Sequence, residues 1–261
     1  MPRRIMVRDP DRCATAGPVP GSKGRQDGAR RKGSCMKAWQ EYAAEAFGTF
    51  VLVGIGCGVV LGAGGDPFAA AFGFGFAWLA ALYTVGRISG GHFNPVLSLA
   101  AFLDRAISAK DLVIYWAVQF VGAIGALGIF AWLFSAKATA GAANGFGNLS
   151  SFKAFSVEAI LTLILTAAFL SALRSQAHTK YLGMGFSLFA VTLFGYGVTT
   201  AGMNPARTLA PAIFSGEWAG AWVYFVGPIV GAIAGWVLYR VIVRGDTNFV
   251  DDLGEIKDSI A

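Results

Sequence analysis

Two Asn-Pro dipeptides, Asn94-Pro95 and Asn204-Pro205, lie 110 positions apart in otherwise apolar sequence. Asn accepts hydrogen bonds from the free N–H groups at the start of a helix, and Pro has the backbone angle of the first helical position. The apolar stretches that follow, 95–104 and 205–214, are too short to cross a bilayer. The pattern therefore predicts two half-helices that begin inside a membrane protein.

Six longer apolar segments surround these dipeptides, each near the ~20 residues that a membrane-spanning helix needs. They cover 41–63, 68–87, 111–135, 154–174, 181–200 and 218–243. Only 14% of the residues are charged, whereas soluble domains average about a quarter. We therefore predict an all-α membrane protein with six transmembrane helices and two re-entrant half-helices.

Basic residues are unevenly distributed among the connections between these segments. The connection 64–67 has none and the connection 136–153 has two, whereas the other connections and both flanks hold most of the rest. Because Lys and Arg favour the cytoplasmic side of a membrane, both termini are predicted to be cytoplasmic. This distribution also accounts for the net charge of +6 without any nucleic-acid partner.

Three sequence matches in the same order indicate an internal repeat. Ala44-Glu45-Ala46 matches Val157-Glu158-Ala159, and Val121-Gly122-Ala123-Ile124 recurs as Val230-Gly231-Ala232-Ile233. Their offsets of 113 and 109 are close to the 110 of the Asn-Pro pairs. Each repeat, about 37–135 and 152–243, holds three spans, so the second copy is inverted. The half-helices then enter from opposite faces and meet near the membrane midplane.

The remaining segments divide the chain into three regions. Residues 1–36 are rich in Arg, Lys, Gly and Pro and are predicted to be a disordered basic extension without a signal peptide. We take Met36 as the natural start; peptides from 1–35 in the native protein would contradict this. Residues 37–245 form the predicted channel domain, and 246–261 form a C-terminal tail.

Enzyme chemistry and metal binding are not indicated. Cys13, Cys35 and Cys57 have no metal-binding or redox spacing, and the spans hold no His-Glu-x-x-His motif and no suitable Ser–His or paired-carboxylate arrangement. We therefore expect a protein without catalytic residues, metal or cofactor.

The segments Ala44–Phe50, Ser89–Pro95 and Met203–Arg207, taken with the repeat, resemble the aquaporin (major intrinsic protein) family over about 38–243. The resemblance implies a passive channel for water and small uncharged solutes, assembled as a homotetramer with one pore per subunit. Position 96 departs from the family pattern, because Asn-Pro-Ala is usual and Val96 stands here, whereas the second motif ends in Ala206. We expect the junction to tolerate this added bulk.

The family resemblance assigns pore roles to the residues around both motifs. Asn94 and Asn204 would donate hydrogen bonds to a passing oxygen, and two helix N-termini would repel cations and interrupt a chain of protons. The alternative is that both Asn residues are only helix caps. Pore-facing backbone carbonyls are expected at Gly90, Gly91, His92, Phe93, Thr200, Ala201, Gly202 and Met203.

A selectivity filter of Phe74, Thr192, Ala201 and Arg207 is also implied by the resemblance. Water-selective members tend to have His at the position of Thr192, and glycerol facilitators carry Asp shortly after the Arg, which is absent here. The sequence around Arg207 is similar to that of the nodulin-like intrinsic proteins of plants. We expect passage of water with glycerol or metalloid hydroxides such as arsenite or boric acid; a strictly water-selective pore is the alternative. Arg207 could instead pair with a buried carboxylate.

Glu45 and Glu158 are carboxylates at equivalent repeat positions within apolar spans. They could form a proton relay in a coupled secondary transporter, or accept hydrogen bonds from the loops beside the half-helices. Their symmetry favours the structural role. His92 could be a pH switch, but we expect a packed, hydrogen-bonded side chain, and Gln119 is expected to bond between helices. A bacterial inner membrane is the expected location.

Overall fold

A computed structural model of the chain describes residues 38–177 and 179–246. Within them, six helices are long and apolar enough to cross a membrane, which confirms the predicted number of spans. In chain order, these first to sixth spans are Ala38–Gly62, Pro67–Ser89, Ala109–Leu133, Ser151–Arg174, Lys180–Thr199 and Val223–Val243. The predicted extension 1–36 and nearly all of the tail 246–261 lie outside the described residues.

The sixth span begins at Val223, later than the predicted start at 218. The preceding helix ends at Ser215; its C-cap Gly216 has a left-handed φ of 79°, and Gly220 also has a positive φ of 67°. Trp218 lies in the turn between these glycines, where its carbonyl accepts a hydrogen bond from the N–H of Ala221. Hydropathy alone cannot separate such an apolar turn from the helix that follows it.

Two short helices, Pro95–Leu103 and Pro205–Ser215, begin at the Asn-Pro dipeptides as predicted. Asn94 and Asn204 are their N-caps in extended conformation, and the prolines take the first helical position. Both short helices pack against the third and sixth spans. They are the first and second half-helices of the fold.

The two halves of the chain pack in the same way. The first span contacts the second and third spans, and the fourth contacts the fifth and sixth. A Cβ added to Gly122 would overlap the carbonyl oxygen of Ala46, and one added to Gly231 would overlap that of Ala159. The repeated Val-Gly-Ala-Ile motif therefore allows the same close backbone approach in each half.

Large aromatic side chains are exposed near both ends of the spans. Trp39 and Tyr83 lie near one end, and Trp132, Phe152 and Trp222 lie near the other. Trp and Tyr are enriched where a membrane meets water, and the intervening exposed side chains are mainly apolar. This surface fits a protein surrounded by lipid.

A buried carboxylate joins three elements at one end of the bundle. Asp104, the C-cap of the first half-helix, accepts hydrogen bonds from Arg174 at 2.6 and 2.8 Å and from Arg244 at 3.3 Å. Arg174 ends the fourth span, and Arg244 follows the sixth. The ion pairs therefore fix the end of the half-helix to the surrounding helices.

Candidate functional site

The two half-helices meet at their N-termini through a reciprocal pair of hydrogen bonds. Asn94 Nδ2 donates to the carbonyl of Met203 at 2.9 Å, and Asn204 Nδ2 donates to the carbonyl of Phe93 at 3.0 Å. Each amide nitrogen carries a second N–H. Helix N-termini carry a partial positive charge of about half a unit each, so their meeting creates an electropositive point inside the protein.

The Asn side chains also act as caps. Asn94 Oδ1 accepts from the N–H of Val96 at 3.1 Å, and Asn204 Oδ1 accepts from that of Ala206 at 2.9 Å. In each Asn, the amide oxygen caps its own half-helix and the amide nitrogen bonds to the opposite half of the fold. A capping role is therefore compatible with the predicted role in a pore. The backbone bond of Val96 matches that of Ala206, so a valine at position 96 leaves the cap intact. Pro95 and Pro205 are buried beside these residues.

Glu45 and Glu158 hold the loops that lead into the half-helices. Each carboxylate accepts hydrogen bonds from two successive loop N–H groups and one hydroxyl. The donors are His92, Phe93 and Ser89 for Glu45, and Gly202, Met203 and Thr199 for Glu158, at 2.6–3.0 Å.

These hydrogen bonds support unfavourable loop conformations. Phe93 and Met203 have left-handed φ angles of 50° and 48°, which cost about 1–3 kcal/mol each for non-glycine residues. The carboxylates bind the N–H groups of these same residues and so hold the loops in place. The arrangement agrees with a structural role, and any part of Glu45 and Glu158 in transport stays a prediction.

A cavity runs beside the junction of the half-helices, with apolar side chains on part of its wall and polar groups on the rest. It contains both Asn caps and all four predicted filter residues. The lining residues are Leu52, Phe74, Trp78, His92, Asn94, Leu97, Leu165, Leu188, Thr192, Ala201, Gly202, Met203, Asn204 and Arg207.

Arg207 is the cationic group of this cavity, with 2% of its surface exposed. Nη1 donates to the carbonyl of Ala142 at 3.1 Å and to Asn144 Oδ1 at 2.6 Å, and Cζ lies 5.4 Å from the ring centroid of Phe74. Nε and Nη2 are buried without a protein partner among the described residues. Among the described residues, Arg207 therefore bonds to a carbonyl and an amide rather than to a carboxylate, and Nε and Nη2 are left without a partner there.

Thr192 and Ala201 complete the set that the sequence placed in a filter. Both are buried, and Thr192 Oγ1 has no hydrogen-bond partner among the described residues. The structure thus brings Phe74, Thr192, Ala201 and Arg207 to one cavity. Their effect on selectivity stays a prediction.

Of the eight predicted carbonyl positions, His92, Ala201, Gly202 and Met203 line the cavity. The other four, Gly90, Gly91, Phe93 and Thr200, lie in the same two loops but not in the cavity wall. The carbonyl of Gly91 accepts from Trp78 Nε1 at 3.0 Å, and those of Phe93 and Met203 accept from the Asn caps. A carbonyl oxygen has two lone pairs, so these bonds leave acceptor capacity.

Ser98 is a polar residue that sequence reasoning missed. Its Oγ lies 3.0 Å from His92 Nδ1 and accepts from Gln119 Nε2, which also donates to Glu45 Oε2, each at 2.8 Å. The His92 ring is buried and packs against Phe169 as well. Gln119 therefore links the third span to the first span and the first half-helix. The position of Ser98, one helical turn after Asn94, is the signal that could have identified it.

Two half-helices that meet beside a partly polar cavity within a six-span repeat are typical of multi-pass membrane channels. The family model for major intrinsic proteins matches residues 32–239. Aquaporin Z of Brucella melitensis is 36% identical over 223 residues, covering 78% of this chain and 98% of that protein. Glycerol uptake facilitator protein-like 6 of Lactiplantibacillus plantarum is also 36% identical, over 215 residues, covering 79% and 100%.

The X-ray structure of the aquaglyceroporin from Plasmodium falciparum has the same fold. The TM-score is 0.71 at 22% identity, covering 79% of this chain and 97% of that one. The chain belongs to the major intrinsic protein family. It is an integral membrane protein and a channel rather than an enzyme.

Proposed function

We propose that this protein conducts water and small uncharged solutes passively and excludes protons and ions. The observation that carries the proposal is the reciprocal bonding of Asn94 and Asn204 where two helix N-termini meet. Positive potential there repels cations, and fixed N–H donors orient each passing oxygen. Similarity to an aquaporin and to a glycerol uptake facilitator-like protein supports both water and glycerol as solutes.

Glycerol and metalloid hydroxides such as arsenite or boric acid are the proposed solutes beside water. Thr192 and Ala201 are small. Nε and Nη2 of Arg207 and Oγ1 of Thr192, which have no partner in the described part of the chain, offer hydrogen bonds to hydroxyl groups. The apolar rings of Phe74 and Trp78 would contact the carbon side of a polyol. A strictly water-selective pore remains the competing proposal.

The proposal also covers the membrane, the oligomeric state and the orientation of the protein. We place the protein in a bacterial inner membrane as a homotetramer with both termini cytoplasmic. The cluster of Asp104, Arg174 and Arg244 supports this orientation, because it collects positive charge at one end of the bundle.

Stopped-flow light scattering of proteoliposomes tests the function. Water efflux is compared with entry of glycerol, boric acid and arsenous acid, using protein-free liposomes as the control. Fast flux of water and of a solute is expected. Fast water with no solute flux would establish the strictly water-selective alternative, and no flux above the control would reject the channel proposal.

A further inference from the structure

The cavity wall contains an aromatic residue outside the predicted filter, Trp78 of the second span. Trp78 lies four residues after Phe74, so the two rings follow one another along the same face of that helix. Phe74 contacts Arg207, whereas Trp78 lies one turn closer to the loop that precedes the first half-helix. An aromatic side chain therefore bounds the cavity at a second level.

Two contacts hold the indole of Trp78 in place. Nε1 donates to the carbonyl of Gly91 at 3.0 Å, and the ring stacks on Phe169 of the fourth span, with the two ring centroids 6.4 Å apart. Trp78 is 1% exposed, and Phe169 is fully buried. Because the indole is bonded at its edge and packed on its face, it is fixed in the cavity wall.

The hydrogen-bond acceptor of Trp78 is also fixed. Gly91 has a left-handed φ of 73°, and a Cβ added to it would overlap Leu82, which lies one turn after Trp78 in the chain. The family resemblance placed the carbonyl of Gly91 in the pore, but in this structure the carbonyl bonds to the indole. At this level the wall therefore presents an aromatic ring in place of that acceptor.

Trp78 has the largest side chain of all the residues that line the cavity, whereas Thr192 and Ala201 of the predicted filter are small. A passage is limited at its narrowest level, and a ring that is held on two sides cannot make way for a solute. We propose that Trp78 is a second specificity-determining residue, which forms an inner constriction in series with the filter and limits the passage of solutes larger than water. This inference rests on the proposed channel function.

The test compares glycerol permeability with water permeability by stopped-flow light scattering of proteoliposomes of the full chain. Trp78→Leu keeps an apolar wall and removes the ring. We expect it to raise the glycerol-to-water ratio about tenfold, because small differences in fit have effects of this size. Trp78→Phe retains a smaller ring and is expected to raise the ratio less. The Phe variant also decides the question if Trp78→Leu fails to reconstitute.

Trp236→Leu is the matched control. Trp236 of the sixth span is likewise 1% exposed, but it lies outside the cavity wall. Loss of a buried indole is expected to lower the thermal stability of both Leu variants. The Trp236 variant should nevertheless keep the wild-type ratio of permeabilities, so a ratio that rises only for the Trp78 variants reports the constriction and not a loosened fold.

An unchanged or lower ratio in the Trp78 variants would overturn the inner constriction, and so would an equal rise in Trp236→Leu. If the wild-type protein passes water alone, entry of glycerol through Trp78→Leu would support the inference and its absence would overturn it. Failure of the proposed channel function is a different result, in which the wild-type protein shows no flux above protein-free liposomes and both proposals fall.

Discussion

At the scale of single residues, Thr192 is the predicted filter residue that we propose sets the room available to a solute. It is small and buried, and its hydroxyl has no protein partner among the described residues. It shares the cavity with Phe74 and Arg207, whose positions are coupled through their cation–ring contact. A larger residue at 192 would therefore project into the cavity rather than into protein.

Replacing Thr192 by His tests this assignment. We expect Thr192→His to lower glycerol permeability about tenfold while reducing water permeability much less, because a small difference in fit has effects of this size. Thr192→Val, which keeps the shape and removes the hydroxyl, is the matched control and is expected to stay closer to wild type. Both are measured by stopped-flow light scattering. Equal losses of water and glycerol flux in Thr192→His would contradict the filter assignment.

Motifs identified the centre of the site, but they could not identify its supports. Asn94, Asn204 and Arg207 belong to short sequence patterns, and the family resemblance assigns Thr192 and Phe74 by their distance from those patterns. Asn144 does not, because its contact with Arg207 joins residues 63 positions apart through a connection with no periodicity. Sequence patterns report local geometry, whereas such a contact depends on how the connection folds over the bundle.

At the scale of helices, we expect the stability of the folded protein to depend on the glycines that let two spans approach each other closely. We expect Gly122→Ala and Gly231→Ala each to destabilise the protein by about 1–3 kcal/mol, because the added methyl would overlap a backbone carbonyl that cannot move freely. Thermal unfolding in detergent micelles measures the change.

Gly197→Ala in the fifth span provides the matched control for these two variants. A Cβ at position 197 would have no neighbouring atom within 4 Å. The stability of the Gly197→Ala variant should therefore stay unchanged, or rise slightly because Ala favours helix more than Gly does. Equal thermal stability of all three variants would contradict the proposed packing.

Asp104 caps the C-terminal end of the first half-helix, away from the end that meets the second half-helix. Its carboxylate is fully buried, whereas the side chains of Arg174 and Arg244 are 31% and 29% exposed. Arg240, whose side chain is buried, also lies 3.9 Å from Asp104 through Nη1. Asp104→Asn removes the anion that these three arginines share. We expect a loss of about 3 kcal/mol, the lower end for a broken buried ion pair, because Arg174 and Arg244 still reach solvent and Arg240 keeps its ion pair with Asp246.

Asp66→Asn is the control for the Asp104 variant. Asp66 caps the second span at the surface by accepting from the N–H of Ala69, and Asn caps equally well. The Asp66→Asn variant should have the same midpoint of thermal unfolding in detergent as the wild-type protein. A similar midpoint for Asp104→Asn would show that the ion pairs do not stabilise the fold.

The helices themselves could largely be predicted from the sequence, because span length and capping are local properties. The start of the sixth span could not, since Trp218 is apolar yet lies between two glycines with left-handed backbone. The Asp104 cluster was also missed, because Asp104 is distant in sequence from its arginines and meets them only through packing of the half-helix.

At the scale of the whole molecule, a symmetric scaffold surrounds an asymmetric cavity. Glu45 and Glu158 make matching hydrogen bonds, and Gly122 and Gly231 make matching contacts. The cavity lining differs between the halves: Arg207 has Leu97 as its counterpart, 110 positions earlier in the chain. The repeat therefore supplies the architecture, and differences between the two halves make the cavity lining asymmetric.

The same symmetry argues for passive transport. A coupled carrier needs a group that exchanges protons during the cycle, whereas Glu45 and Glu158 are both buried and engaged by loop N–H groups in the same way. We expect glycerol uptake into proteoliposomes to follow its own gradient and to proceed at the same initial rate with or without an inward proton gradient. Labelled glycerol measures uptake, and addition of a proton ionophore is the control. Accumulation above the external concentration, abolished by the ionophore, would show instead that the protein couples solute movement to protons.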